Sequence, residues 1–501
     1  MPLLFSLLFP ACNGTKTELN ENKKEAAKVE KTLKVAFGYK PRSFDPHRHT
    51  DSSTLAVTKQ IYNNLFSLND KGELIPELVE KYETLPDNSI ILTLKKGIFF
   101  QDGNEMKAED VAASLKRNLN IPISKVLVES IKGLEVLDDY RLKIIQNNAP
   151  TILLHNFAHS SIAIVKEVPA NEEGINIVGT GAYKIKKWGI GEKVELESFD
   201  KFFQGEPKIK NLVFMTIPEN SNRLIALETG EIDIAYDISS TDVKGLLKDD
   251  NLKLVSKSSL GTDFVSINTK KITDKRVRQA IELGVNKEDI STAVFEGMTE
   301  LAPSLLAPSV FGYDKNVKLK PYNPEKAKEL LKEAGYPDGF NIKLWVNDES
   351  TRVDMCVIIQ DQLKAVGINV EIEVFEWGTY LSKTLEHNKQ LYLFSWNVSS
   401  GDADAALYPM FHSSQRNGSA NRSNYVSKEA DELLDRARNS VNEDERNLLY
   451  KQVQDILQRD LPHYTLVFPK LNLGMNKNVE GLIMKKTGYI DISNAFVLRE
   501  K

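Results

Sequence analysis

Strand-like alternation recurs along this chain, and each instance is followed by a helix whose ends are marked by capping residues. The pattern is clearest in the second half. Asn323 and Pro324 supply an N-cap and an N1 proline, and Gly335 ends the helix they start. Residues 342–346 then alternate as a strand, residues 352–366 carry a helical pattern stopped by Gly367, and residues 368–375 alternate again. Asn442 and Glu445 form a capping box for a helix running toward Gln458. Earlier, Ser221 caps a short helix ended by Gly230, with a strand over residues 232–234 next. This rhythm predicts an α/β protein with mixed or mostly parallel sheets. Such sheets bind ligands at their strand ends and in crevices between lobes. No short fixed period is present, which excludes a solenoid.

A chain of 501 residues exceeds what one core can hold, so roughly two to four folding units are expected. Lys and Arg number 65 against 70 Asp and Glu, a net charge of -5. That balance supplies no basic excess for a nucleic-acid partner. The two cysteines, Cys12 and Cys356, are far apart in sequence. A disulfide framework is therefore not expected, and stability rests on the apolar core.

Residues 2–11 (PLLFSLLFPA) form a short apolar run ending at Cys12. It falls well short of the roughly 20 residues that span a membrane, and has the length of a signal-peptide core. The arrangement resembles the lipobox of bacterial lipoproteins, which implies lipid modification at Cys12. The alternative is a cleaved secretory signal without lipid, and either way the protein is exported, to the periplasm or the cell surface. Residues 13–31 mix Lys and Glu with almost no large apolar groups, so they read as a flexible tether.

From Thr32 the pattern turns globular: Leu33, Val35 and Phe37 alternate as a strand that Tyr39 to Pro41 breaks. Helical spacing follows over residues 51–65, a β-rich stretch over 90–100, and a helix over 110–119 with Val111, Ala112, Leu115 and Leu119 on its apolar face.

Residues 75–119 read IPELVEKYETLPDNSIILTLKKGIFFQDGNEMKAEDVAASLKRNL. Pro76, Leu78, Tyr82, Leu94, Lys95, Gly97, Phe100, Asp102, Gly103, Ala108, Asp110 and Val111 match the pattern of one family, with Lys107 where a Thr or Ser cap is common. Four further blocks follow in order: VGTGAYKIKKW at 178–188, LETGEIDIAYD at 227–237, INTKKITDKRVRQAIELGV at 267–285 and PEKAKELLKEAGYPDGF at 324–340. Together they resemble the bacterial extracellular solute-binding proteins of family 5, which serve dipeptide, oligopeptide, nickel and haem importers of the ABC type. The resemblance implies a two-lobed, periplasmic-binding-protein-like α/β fold with an extra subdomain in lobe one. Lobe I would hold residues 32–267 and 469–501, with the inserted subdomain at roughly 50–175, and lobe II residues 268–468. Crossings would lie near Asn268 and within residues 468–473, and the lobes would close around ligand by a hinge motion.

The segment 391–412 (LYLFSWNVSSGDADAALYPMFH) matches the family's ligand-facing strand and loop. In peptide-binding members an aspartate three residues past the tryptophan pairs with the ligand's α-ammonium, because a desolvated ammonium needs a counter-charge. Ser399 stands there, three past Trp396, with Asn397 between and Asp402 and Asp404 following. Either acid could take over the pairing, or the ligand has no free α-ammonium, or both acids cap the helix beginning near Ala403. Trp396, Tyr39, Thr262 and Phe264 are further candidates for lining the cleft, or for packing. Arg416 and Arg422 could pair a ligand carboxylate through their forked donors. Of the seven histidines, His47 and His49 lie beside the first-strand loop and are the alternative metal ligands. His155 and His159 share a helix face but lack the HExxH order.

No nucleophile elbow, Walker loop or Cys/His pair is present. With no such motif present, the resemblance implies a monomeric receptor without cofactor or catalysis, which passes a short peptide or similar small solute to an ABC permease. The alternatives are a nickel, metal-chelate or haem receptor of the same family, and a signalling binder that does not transport.

Overall fold

A strand buried on both faces must carry apolar groups at consecutive positions. Phe264, Val265 and Ile267, and the run Leu391, Tyr392, Leu393 and Phe394, are all buried. Their strands are neighbours in a six-stranded sheet ordered Glu300–Leu301, His463–Phe468, Gly261–Ile267, Leu391–Asn397, Phe340–Asn347 and Ile368–Phe375. One face packs Val265, Ile267, Leu344 and Leu391 on Ile281, Ile359 and Leu363 of two helices, Lys275–Leu283 and Ser350–Ala365. The other packs Phe264, Tyr392 and Phe394 with Leu407, Leu434 and Tyr450, from the helices Asp404–Phe411, Lys428–Asn439 and Glu443–Asp460. The architecture comes from a computed structural model describing residues 28–49, 51–170, 174–188, 193–386, 388–417 and 420–499. The expected leader with Cys12, and the tether as far as residue 27, lie outside the described residues.

A second sheet has seven strands in the order Tyr183–Trp188, Lys193–Ser198, Asn211–Thr216, Thr32–Phe37, Ile234–Tyr236, Lys470–Asn476 and Leu252–Ser258. The alternating Leu33, Val35 and Phe37 pack into one core with Leu196, Phe214, Ile234 and Leu473. Thr32–Phe37 is parallel to both neighbours, while Lys470–Asn476 is antiparallel to both of its own. Both large sheets are thus mixed. A four-stranded antiparallel sheet, ordered Val79–Thr84, Ile90–Leu94, Arg141–Gln146 and Ile131–Asp138, builds a third unit. Its core gathers Leu78, Leu92, Phe100, Val111, Leu115 and Ile144.

The two large sheets are joined twice, and both joints are short. Leu252–Ser258 ends in the seven-stranded sheet and Gly261–Ile267 begins in the six-stranded one, with only Ser259 and Leu260 between. On the return, His463–Phe468 and Lys470–Asn476 are separated by Pro469 alone. The first crossing thus precedes the position expected near Asn268, because Gly261–Ile267 pairs along its whole length with Leu391–Asn397 of the second lobe. The two joints lie side by side: the Ser259 backbone N–H donates to the Pro469 carbonyl at 3.2 Å. Proline has no N–H to continue a ladder, so the sheets part there.

Caps fall close to where the sequence puts them. Asn323 accepts from the Lys326 N–H at 2.9 Å and Asn442 from the Glu445 N–H at 3.0 Å. The helix expected from Ser221 begins earlier, at Asn220 with Glu219 as its N-cap residue. The Gly-Thr-Gly motif has a steric basis. A Cβ on Gly179 would stand 2.2 Å from the Ile61 carbonyl oxygen, and one on Gly181 would stand 2.4 Å from the Ile61 carbonyl carbon. Both glycines let this loop close over the end of the helix Ser52–Ile61. Gly181→Ala is expected to destabilise the protein by about 1–3 kcal/mol, as overpacking does. A drop in melting temperature checks this, and an unchanged transition would refute the packing argument.

Candidate ligand-binding cleft

The strand ends beside the two joints bring polar side chains of both lobes toward one gap. From the first lobe come Tyr39, exposed just past Thr32–Phe37, and Asp237, just past Ile234–Tyr236. Asp237 holds φ at 55°, in the left-handed region that non-glycine residues seldom enter. The buried Arg223 fixes this turn by donating to the carbonyls of Tyr236 at 2.9 Å, Ile217 at 2.7 Å and Asp237 at 3.2 Å. From the second lobe come Asp263, Glu349 and Arg352. Glu349 caps the helix Ser350–Ala365, accepting from the N–H groups of Thr351 and Arg352. Arg352 donates to Asn347 Oδ1 at 3.1 Å and lies 3.6 Å from Glu349.

Electrostatics tie these groups together across the gap. Asp237 is exposed by surface area, yet desolvation by the surrounding protein lifts its carboxyl above its ordinary range; Arg223 partly offsets this, and the charge of Glu349 lifts it further. Burial likewise raises Asp263, against the pull of Arg352 and the Ser395 hydroxyl. Desolvation raises the Tyr39 phenol, and Glu349, Asp237 and Asp348 add to the effect. A carboxylate held up by desolvation gains by meeting a cation.

Next to the joints lies a small cavity of about 30 Å³, open to solvent. Leu260 and Ser399 line it together with Lys59, Lys485, Lys486, Thr487 and Tyr489. Burial pulls the Lys59 ammonium below its usual range, with Glu77 opposing the shift. Lys59 donates to Asn64 Oδ1 at 2.5 Å and lies 5.4 Å from the centre of the Tyr489 ring.

The residues singled out in the sequence divide between cleft and core. Tyr39 and Ser399 face open space. Asn397 is exposed at the end of its strand, and the half-buried Trp396 donates its indole N–H to the Ala405 carbonyl at 3.0 Å. Thr262 is wholly buried and donates to the Leu305 carbonyl at 2.7 Å, so it is a core residue and not a cleft one. Phe264 is also core, edge-on to Phe394 and His463. Successive strand residues point to opposite faces, and Asp263 between these two is the one near the gap.

Neither Asp402 nor Asp404 is free to meet a ligand. Both oxygens of the buried Asp402 accept from Arg446 Nη2, at 2.9 and 2.7 Å. Asp404 is gripped by Arg438 through two bonds of 3.1 and 2.9 Å. Asp402 also accepts the Asp404 N–H at 2.9 Å, but the N-cap residue of the helix is Ala403 and Asp404 is its first residue, so neither acid is the cap itself. These pairs hold the loop after Trp396 on the helical face of the second lobe. That loop also meets the first lobe: His155 Nδ1 donates to the Ser400 carbonyl at 3.1 Å.

Arg416 sits on the turn Ser413–Asn417 and pairs with none of the cleft groups. Arg422 donates to Thr384 Oγ1 at 2.7 Å, its guanidinium 4.8 Å from the centre of the Phe394 ring. His47 does not face the cleft as a metal ligand. It is wholly buried, donates from Nε2 to the Ala163 carbonyl at 2.8 Å and accepts from Arg117 at Nδ1. Burial lowers it to about 4. His49 is buried against Thr58, at 3.2 Å. Among the described residues no three His, Cys, Asp or Glu side chains gather to hold a metal ion.

Sequence reasoning passed over Asp237, Asp263, Glu349, Arg352 and the lysine-lined cavity. Asp237 closes the motif LETGEIDIAYD and could have been found as the residue ending a strand. Lys59 carries no local signal.

The sequence model of the family described as bacterial extracellular solute-binding proteins, family 5 Middle, matches residues 73–418. The chain is 31% identical over 479 residues to the glutathione-binding protein GsiB of Salmonella paratyphi A, covering 92% of this chain and 93% of that one. Among solved structures it is similar to the periplasmic binding protein DppA of Helicobacter pylori in complex with the peptide STSA. That match has a TM-score of 0.82 and 28% identity over 94% of this chain and 99% of the other. The oligopeptide-binding protein AppA of Bacillus subtilis, in complex with a nonapeptide, matches with a TM-score of 0.80 and 26% identity, over 95% and 100% of the two chains.

The arginine pairs separate support from recognition. Asp402→Ala leaves Arg446 charged and buried without its partner, which is expected to lower stability by about 3–5 kcal/mol. Chemical denaturation measures it. Unaltered stability would show that the carboxylate has another use.

Proposed function

The chain belongs to the bacterial extracellular solute-binding proteins of family 5, and from that premise we propose that it captures a short peptide or similar small solute between its lobes and hands it to an ABC permease. The observation that carries this reading is the pair of short joints beside a gap lined from both lobes by Tyr39, Asp237, Asp263, Glu349 and Arg352. Such a gap can close on a solute by rotation at the joints, and burial in the closed gap supplies affinity. Export, anchoring through a lipid on Cys12 and a monomeric state belong to the same proposal, with lobes divided at residues 259–260 and at Pro469.

Asp237 and Asp263 are the groups proposed to receive a cationic end of the solute, since desolvation holds both carboxyls above their ordinary range in spite of Arg223 and Arg352. Tyr39, Ser399, Trp396 and Asn397 stay in the proposed binding set at the rim. Glutathione is a peptide-type solute of fitting class, and curated relatives are named for binding it. The solute is released unchanged: no catalysis is proposed.

Thermal denaturation in the presence of di- and tripeptides and reduced glutathione tests the reading. A true ligand at 100 times its Kd adds about 2.7 kcal/mol, and mass spectrometry should recover it chemically intact. Failure of every peptide-type solute to stabilise the protein would sink the proposal. A pH series tests the acidic end. Both carboxyls are raised in the free protein, so an ammonium must expel protons to pair with them. Affinity for an ammonium-bearing ligand should therefore fall as the pH drops through those raised values. Asp237→Asn should weaken binding about tenfold and flatten that dependence, as followed by calorimetry.

A further inference from the structure

The lining of the cavity beside the joints carries more lysines than carboxylates. Its one lining carboxylate, Asp70, is already neutralised by Lys257, whose Nζ lies 2.6 Å away. Three lysines line the same space, Lys59, Lys485 and Lys486. Among the described residues none of the three has a carboxylate partner within 4.0 Å. Lys59 is the most constrained. It projects from the helix Ser52–Ile61, its ammonium touches a neutral amide oxygen and lies near an aromatic ring, and the carboxylates of Glu77 and Asp491 act on it only from beyond ion-pair contact. An ammonium carries three donors, and one bond to Asn64 leaves donors to spare. The second lobe contributes only the neutral Ser399 and the apolar Leu260 to this lining, so nothing there answers the positive charge.

The geometry points to this cavity as a carboxylate subsite: Lys59, assisted by Lys485 and Lys486 and by the Ser399 and Thr487 hydroxyls, receives the anionic end of an acidic or C-terminally free peptide-type ligand. This deepens the receptor reading and rests on it. The cleft is then charge-polarised, with carboxylates near Asp237 and Asp263 and ammonium groups near Ser399. A ligand with opposite charges at its two ends has one favoured direction in it. Because Leu260 lies in a joint and Ser399 on the second lobe, an anion held by Lys59 touches both lobes and favours the closed arrangement.

Calorimetry and thermal shift with tri-alanine and reduced glutathione, each against its C-terminal amide, test the subsite. The free acids are expected to bind at least about tenfold tighter than the amides, the worth of a charge-assisted hydrogen bond. Lys59→Gln should bring acid and amide to equal affinity, and Ser399→Asp should weaken the acid selectively. Should Lys59→Gln fail to fold, Lys486→Gln provides the second variant, expected to narrow the same difference. Amides that bind as tightly as acids, or an acid preference that survives both lysine substitutions, would overturn the subsite while leaving the receptor reading standing. Binding of none of these peptides, acid or amide, would overturn both.

Discussion

The structure depends on a backbone discontinuity. Two adjacent strands run from one sheet into another with a break of two residues in one and a single proline in the other. Each lobe retains its own buried core on either side of that break. Close-packed cores resist deformation, so bending concentrates where packing and ladder bonds are thinnest. The gap between the lobes follows from this geometry, and so do the polar groups that face it, because strand ends at a break are where side chains lose their neighbours.

Beside the break the second lobe needs a loop that keeps its shape. That task falls to ions in the interior. Asp402 and Arg446 are both almost fully buried, and Arg446 lies 4.7 Å from the centre of the Phe311 ring while Tyr450 donates toward the same carboxylate. The phenylalanine is itself bridged to the loop, through Phe311 and Asp402 backbones in parallel. A paired, hydrogen-bonded charge of this kind adds little net stability, but separating its halves is expensive. The loop carrying Ser399 is thereby presented in one conformation.

Much of the fold was legible because local chemistry announces itself. Asn323 with Pro324, and Asn442 with Glu445, mark helix starts where the structure has them, and the alternation of Leu33, Val35 and Phe37 marks a strand. The candidate site was less legible, for two physical reasons. Gly261–Ile267 is buried at every position, so alternation of polarity could not say which face was which, and Thr262 and Phe264 stood in for Asp263. Acids in a loop look alike in sequence, whereas the arginines that claim them lie 44 and 34 residues away. The lysine cavity joins the helix holding Lys59 to a turn near the C-terminus holding Lys485 and Lys486. No window of neighbouring residues contains it.

Pro469 has a mechanical consequence. Its ring locks φ, so this crossing keeps one soft torsion at that residue where Ser259 and Leu260 have four between them. A door hung on one stiff pin and one supple pin swings along a narrow arc rather than wobbling. The separation at which the two walls meet is thereby set by the backbone of the hinge.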